Sequence, residues 1–211
     1  FNMLKKGDPK LINAWAFYDW ANSVYSLVIG TAVFPLYYSN ITEGATVSFL
    51  GTTWEHPDTL YSYALSFSFL VVAFMSPILS AIADYTGNKK RFLQIFCWIG
   101  SLSVMSLYFF DGIDTVWIGI VFTVLASIGF WSSIVFYNAY LPEVAFPEDQ
   151  DRVSAKGFIL GYLGSVILLI INLGMILKPE LLGITSGAAS QISFVMVGLW
   201  WLGFAQITFR R

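Results

Sequence analysis

The chain has 211 residues, of which 57% are apolar and only 11% charged, with a net charge of −2. Soluble domains carry about 25% charged residues; this chain cannot cover its own surface with polar groups, and the solvent it suits is lipid. With a net charge of −2, nothing suggests a nucleic-acid partner. One cysteine, Cys97, and one histidine, His56, exclude an intramolecular disulfide, a Cys- or His-based metal cage and a His-dependent triad. No metal and no cofactor are expected.

Phe1 and Asn2, ahead of Met3, read as an expression remnant. The first apolar run is too long for a cleavable signal peptide and lacks a small-residue cleavage site. A helix crossing the bilayer core needs about 20 mostly apolar residues. Six stretches meet or approach that length: Asn13–Tyr38, Leu60–Ala83, Phe92–Phe110, Val116–Tyr140, Gly157–Leu177 and Gln191–Phe209. The sequence therefore predicts an all-α membrane protein: a tail over 1–12, a six-helix transmembrane bundle over 13–209, and the start of a linker at 210–211. Short polar connections make consecutive helices antiparallel neighbours, and the longest connection, 43–58, joins the first two spans.

Basic residues set the orientation. Lys5, Lys6 and Lys10 precede the first span, Lys89, Lys90 and Arg91 join the second and third, Arg152 and Lys156 join the fourth and fifth, and Arg210 and Arg211 follow the sixth. Only Lys178 lies on the other side. The positive-inside rule then places both termini in the cytoplasm. Trp15, Tyr18, Tyr37, Tyr38, Tyr61, Tyr108, Trp117 and Tyr140 fall near span ends, where amphipathic rings favour the lipid headgroups.

In the first span, Asp19 is the one ionisable residue well inside a predicted helix, about 9 Å in from Asn13 at 1.5 Å per residue. A carboxylate facing hydrocarbon costs at least a few kcal/mol, so Asp19 must face protein, water or a partner charge. Asn22, Ser23, Ser26 and Gly30 follow at offsets that share its helical face. Two readings stand: a wall of a transport pathway in which Asp19 binds a proton, a cation or an amino group, or a buried ion pair with Lys156 or Arg152.

After the second span, with Pro77 inside it as a kink, comes Asp84-Tyr85-Thr86-Gly87-Asn88-Lys89-Lys90-Arg91. Gly87 gives the backbone freedom for a tight turn. Asp84 can accept from helix-terminal N–H groups of a neighbouring element. The cations mark the cytoplasmic face. In the fourth span Thr123, Ser127, Trp131 and Asn138 form a second candidate lining face, with Pro142 ending the helix. Asn138 can bond solute or cap the helix. Glu143, Glu148, Asp149 and Asp151 read as a solvated acidic face beside Arg152, and Ser154 as the N-cap of the fifth span. That span brings Gly157, Gly161, Gly164 and Ser165, small residues that let membrane helices approach closely, and further along Asn172, an amide satisfied by a neighbouring helix or lining a pathway.

The acidic, glycine and basic spacing of the loop from Asp84 to Arg91 resembles the loop signature of the major facilitator superfamily. The match is partial, since Ser80 stands where that signature has glycine and Tyr85 where it has a basic residue. Ala16-Phe17-Tyr18-Asp19-Trp20-Ala21-Asn22-Ser23, Phe136-Tyr137-Asn138-Ala139-Tyr140-Leu141-Pro142-Glu143, and Arg152 to Ser165 are similar to one branch of it, the family of the fungal autophagy-linked vacuolar amino-acid effluxer and its uncharacterised bacterial members. The resemblance implies the amino-terminal half of a twelve-helix carrier, built as a 3+3 inverted repeat and using its first and fourth helices to line a cavity. Phe17-Tyr18-Asp19 and Phe136-Tyr137-Asn138 look like an echo of that repeat.

The implied function is secondary active transport of a small polar solute, an amino acid by class, through alternating access, in a bacterial inner membrane. Asp19, Asn22, Ser23, Ser26, Ser127, Trp131, Asn138 and Asn172 would form the substrate or ion pathway. Asp84, Gly87, Lys89, Lys90 and Arg91 would form a conformational loop. Without a nucleotide-binding signature the energy would come from an ion gradient, with protons a candidate and Asp19 the coupling residue. Partners would be lipid, solute, and either a carboxy-terminal six-helix half or a second copy. The rivals are a non-transporting scaffold or receptor on the same fold, and an intramembrane enzyme, which lacks a base or paired acids at one depth.

Overall fold

In the computed structural model, which describes residues 5–210, six helices are long and apolar enough to cross a membrane. They are α1 (Pro9–Thr42), α2 (Pro57–Thr86), α3 (Lys89–Ser106), α4 (Val116–Ala139), α5 (Gln150–Leu177) and α6 (Ser186–Phe209). Phe1, Asn2 and Arg211, to which the sequence assigned a remnant and part of a linker, lie outside the described residues. All six spans are present, and several are longer than hydropathy alone predicts because polar caps extend them. Asp8 accepts from the Lys10 N–H at 2.8 Å ahead of Pro9, so residues 9–12 are helical and not tail. Thr185 caps α6 by accepting from the Ala188 N–H at 3.1 Å. The cap of α5 is Asp149, so Ser154 sits inside the helix and does not cap it.

Two local departures matter. Residues Tyr25–Val33 of α1 form a π-helical stretch, with the Phe34 N–H bonded to the Ile29 carbonyl five residues back. The connection between α1 and α2 carries a small antiparallel hairpin, β1 (Val47–Phe49) and β2 (Thr52–Trp54), in which Val47 faces Trp54. Its turn places Leu50 and Gly51 at positive φ.

The packing has a repeat. α1 packs on α5 and α6, while α4 packs on α2 and α3. Exchanging the first three helices with the last three carries one set of contacts into the other, as an inverted repeat requires. Glycines set the closest approaches. A Cβ on Gly129 of α4 would fall 2.4 Å from the Gly100 amide nitrogen of α3, and one on Gly198 of α6 would fall 2.6 Å from the Ser101 carbonyl. In lipid, close packing of this kind replaces the hydrophobic effect as the force between helices.

One end of the bundle ties the N-terminal tail, the α4–α5 connection and the end of α6 together. The Gly7 N–H donates to the Val144 carbonyl at 2.9 Å, and the Thr208 hydroxyl to the Ala14 carbonyl at 2.7 Å. At the other end Tyr37 donates to the Phe110 carbonyl at 2.7 Å and Tyr38 to the Pro57 carbonyl at 3.1 Å. Trp15, Tyr18, Tyr37 and Tyr38 are thus buried, against the expectation that they lie among lipid headgroups. Tyr108 and Trp117 are exposed. Three of these buried rings are fixed by their polar tips, since Trp15, Tyr37 and Tyr38 each donate to a backbone carbonyl within the bundle.

Candidate functional site

Asp19 lies on α1 just before the π stretch, 6% exposed, where α1 meets α4 and α5. The Tyr137 hydroxyl of α4 donates to its Oδ2 at 3.1 Å, and the Ser23 hydroxyl lies 3.4 Å from its Oδ1. Tyr137 is held from two sides. Its ring stacks on Trp15 with centroids 4.2 Å apart, and the Trp15 Nε1–H donates to the Tyr137 carbonyl at 3.0 Å. α5 closes the cluster with glycine. A Cβ on Gly157 would sit 2.7 Å from the Tyr137 hydroxyl and 2.8 Å from Asp19 Oδ2, and one on Gly161 only 2.5 Å from Ser23 Oγ.

The ion-pair reading fails. Lys156 donates to Asn13, and Arg152 pairs with Asp149 at 2.9 Å. Among the described residues no cation forms an ion pair with Asp19. This is a buried carboxylate held by a phenol and a hydroxyl.

The predicted stripe on α1 does not stay on one face. Asp19 and Asn22 are buried and Ser23 half-buried, whereas Ser26, Gly30 and Thr31 are exposed. Ser26, Gly30 and Thr31 all lie within the π stretch, where i→i+5 bonding changes the angular step that the offsets assume. There Ser26 donates to the Ser23 carbonyl at 3.1 Å and Thr31 to the Ser26 carbonyl at 2.8 Å. On α4 the predicted face also splits. Ser127 is buried and accepts from the Ser68 hydroxyl of α2 at 2.7 Å, so it joins two helices. Thr123 is buried with its hydroxyl unpartnered. Trp131 is 41% exposed and meets Phe69 edge-on, and Asn138 is exposed. Asn172 is fully buried, and among the described residues neither its amide oxygen nor its nitrogen has a partner.

At the other candidate site, Gly87 ends α2 with φ 65°, the left-handed conformation glycine adopts freely. Asp84 bonds Lys89 at 2.9 Å, in place of the helix-terminal N–H groups expected for it, and Lys89 also reaches Glu143 at 2.7 Å. Lys89 therefore clamps the end of α2 to the connection after α4. Glu143 belongs to this clamp and not to a merely solvated face. Lys90 is half-buried and Arg91 exposed.

The structure adds Trp15, Tyr137 and Gly157 to the site. The echo of Phe17-Tyr18-Asp19 in Phe136-Tyr137-Asn138 matches Asp19 with Asn138 and so gave no sign of Tyr137 as its partner; the rings of Tyr18 and Tyr137 pack with centroids 5.4 Å apart.

Six membrane-crossing helices with this pairing, and a buried unpaired carboxylate between them, define half of a major-facilitator-type bundle. The chain belongs to the family described as vacuole effluxer Atg22 like, whose model matches residues 7–210. It is 40% identical over 200 residues to an uncharacterized MFS-type transporter, YxiO, of Bacillus subtilis, covering 94% of this chain and 45% of that protein. It is 39% identical over 80 residues to autophagy-related protein 22 of Gibberella zeae, covering 38% of this chain and 12% of that protein. The same-named protein of Pyricularia oryzae is 24% identical over 197 residues, or 67% of this chain and 28% of that one. The chain spans less than half the length of these curated relatives. No solved structure matches it.

Proposed function

We propose that the chain is one half of a secondary active transporter that moves a small polar solute, an amino acid by class, by alternating access coupled to an ion gradient. The observation that carries this reading is Asp19: a carboxylate buried where three membrane helices meet, bonded to Tyr137 and without a counter-charge among the described residues. Burying such a charge without a partner costs several kcal/mol, so the group must bind a positive species during its working cycle. Fixing the fold would not require this. An apolar side chain would pack there at lower cost.

The exposed polar groups of α1 and α4, Ser26, Thr31 and Asn138, face away from the bundle core and suit the wall of a pathway completed by a second six-helix half. Asp84, Gly87 and Lys89 with Glu143 form the clamp that breaks or holds as the halves rock, with both termini on the cytoplasmic side of a bacterial inner membrane. The names of the relatives, an MFS-type transporter and vacuole effluxers, support transport and leave the solute to experiment.

The test is uptake of labelled amino acids by the full-length protein in liposomes under imposed ion gradients. Gradient-driven accumulation that collapses in Asp19→Asn supports the proposal. Accumulation that survives in Asp19→Asn would remove Asp19 from coupling, and failure of every amino acid to move under any gradient would remove the function.

A further inference from the structure

We infer that the groove between α3 and α6 binds an anionic phospholipid, with the phosphate on Arg91 and Arg210 and one acyl chain lying along α3. The inference needs only the six membrane spans and stands apart from the transporter reading.

The start of α3 and the end of α6 lie side by side, and the groove between them has a volume of about 480 Å³. Ligand sites usually fall at about 300–1,000 Å³. Its α3 wall is Arg91, Gln94, Ile95, Trp98, Ile99 and Leu102. Their spacing is that of a single helix face. The face is graded: a cation and an amide come first, and four large apolar side chains follow, all exposed. Gln206 and Phe209 form the opposite wall, and Arg210 shares the face of Gln206 one turn on.

The length matches one leaflet. Arg91 to Leu102 spans about 16 Å at 1.5 Å per residue, and half of the hydrocarbon core is about 15 Å. A chain hanging from a phosphate at Arg91 therefore ends near Leu102. Beyond Leu102 a second groove runs on between the same helices, past Met105, Tyr108 and Val195, and no cation lines it. The charged end thus belongs to one leaflet, the cytoplasmic one in the orientation proposed above.

Charge selects the headgroup. Arg91 and Arg210 are exposed, and neither forms an ion pair among the described residues, whereas Lys89 and Arg152 do. A guanidinium holds phosphate oxygens through two parallel bonds. Gln206 spends one amide N–H on the Leu202 carbonyl at 3.0 Å and keeps the other, and half-buried Gln94 adds its own donors beside Arg91. No carboxylate lines the groove, so the ammonium of a zwitterionic lipid finds no partner there. Basic pockets between membrane helices are where anionic headgroups bind.

The groove also faces the right way. α1 packs on α6, α6 on α3 and α3 on α4, so the outer side of the α3–α6 pair points away from α1 and α4 and their exposed polar groups. Only 6% of the α2 span and 28% of the α5 span are buried, against 44% and 39% for α3 and α6. The barest surface for a second half lies on α2 and α5, and the groove is left to lipid.

Trp98, about 10 Å along α3 from Arg91, is the reporter. Purified full-length protein in detergent is titrated with phosphatidylglycerol brominated at mid-chain and, separately, with phosphatidylcholine brominated in the same way. Bromine quenches indole fluorescence on contact, and the difference between wild type and Trp98→Phe isolates the Trp98 signal. We expect saturable quenching with a midpoint about 25-fold lower for phosphatidylglycerol. Arg91→Gln and Arg210→Gln should each reduce that preference about fivefold, the equivalent of about 1 kcal/mol per arginine. Both side chains are exposed and unpaired, so the variants keep the fold. Equal quenching by the two lipids, or a preference unchanged in both variants, overturns the headgroup site. Absence of Trp98 quenching by either lipid overturns the whole proposal and leaves the groove to a protein neighbour.

Discussion

Replacing Gly157 with alanine tests the geometry of the acidic cluster most directly. The added methyl would fall 2.7 Å from the Tyr137 hydroxyl and 2.8 Å from Asp19 Oδ2, with the Trp15 ring at 3.5 Å. Carbon and oxygen do not approach that closely, so α5 must withdraw from α1 or the Tyr137–Asp19 bond must break. Neither partner can yield freely, because Tyr137 is stacked on Trp15 and Asp19 is on a helix backbone packed against α5 and α6. Overpacking of this kind costs about 1–3 kcal/mol. An intrinsic gain of about 1 kcal/mol from replacing glycine in a helix works against it, so the net loss should be roughly 0–2 kcal/mol. Gly174→Ala, on the same helix with nothing within 4 Å of the new carbon, isolates the intrinsic gain. Thermal unfolding of both variants of the full-length protein in detergent gives the comparison. Gly157→Ala should be less stable than Gly174→Ala and should lose gradient-driven transport, while Gly174→Ala keeps it. Equal stability and equal transport in the two would show that α5 does not press on Asp19 as the distances require.

Three further outcomes follow from the same geometry. Tyr137→Phe keeps the stack on Trp15 and deletes the donor to Asp19; a bond to a charged group is worth about 1.5–3 kcal/mol, and uptake in liposomes should fall more than fluorescence-detected stability does. In a double-mutant cycle over Lys89→Met and Glu143→Gln the coupling to unfolding should be at most about 1 kcal/mol, because the Glu143 side chain is 52% exposed; a transport defect much larger than that coupling would identify the clamp as a conformational element. Asn172→Leu removes a buried amide with no partner and should raise thermal stability by about 1–3 kcal/mol; a destabilised variant would mean that the amide is satisfied in the resting protein.

The six spans were legible because lipid imposes one crude requirement, a length of apolar helix, and hydropathy measures it directly. Asp19 was legible for the converse reason: a single acid in such a span stands out against hydrocarbon. Its partner was not. Tyr137 is 118 residues away, and nothing in local periodicity says that α4 turns a tyrosine and not Asn138 toward α1. The hairpin was within reach, since Val47-Ser48-Phe49 and Thr52-Thr53-Trp54 flank Leu50-Gly51 as strands flank a turn. The splitting of the α1 stripe was not, because offsets of 3, 4, 7 and 11 share a face only if every turn is α-helical. Burial was not legible for Trp15, Tyr18, Tyr37 and Tyr38: nearness to a helix end describes position along the membrane normal, while burial depends on which neighbours stand beside the ring.

The π stretch connects these observations. It begins two residues after Ser23, so the cluster of Asp19, Asn22 and Ser23 ends where regular α-helical bonding ends. Below that point α1 turns its polar side chains into the contact with α4 and α5; above it Ser26, Gly30 and Thr31 are turned outward. One helix thereby serves two surfaces, a buried acidic cluster and an exposed polar strip, which a straight α-helix would have to place on one face. Ser26 and Thr31 use their hydroxyls on carbonyls of this same segment, at 3.1 and 2.8 Å, and hold the irregular geometry locally without help from another helix. A change of charge at Asp19 acts on the last α-helical turn before this segment.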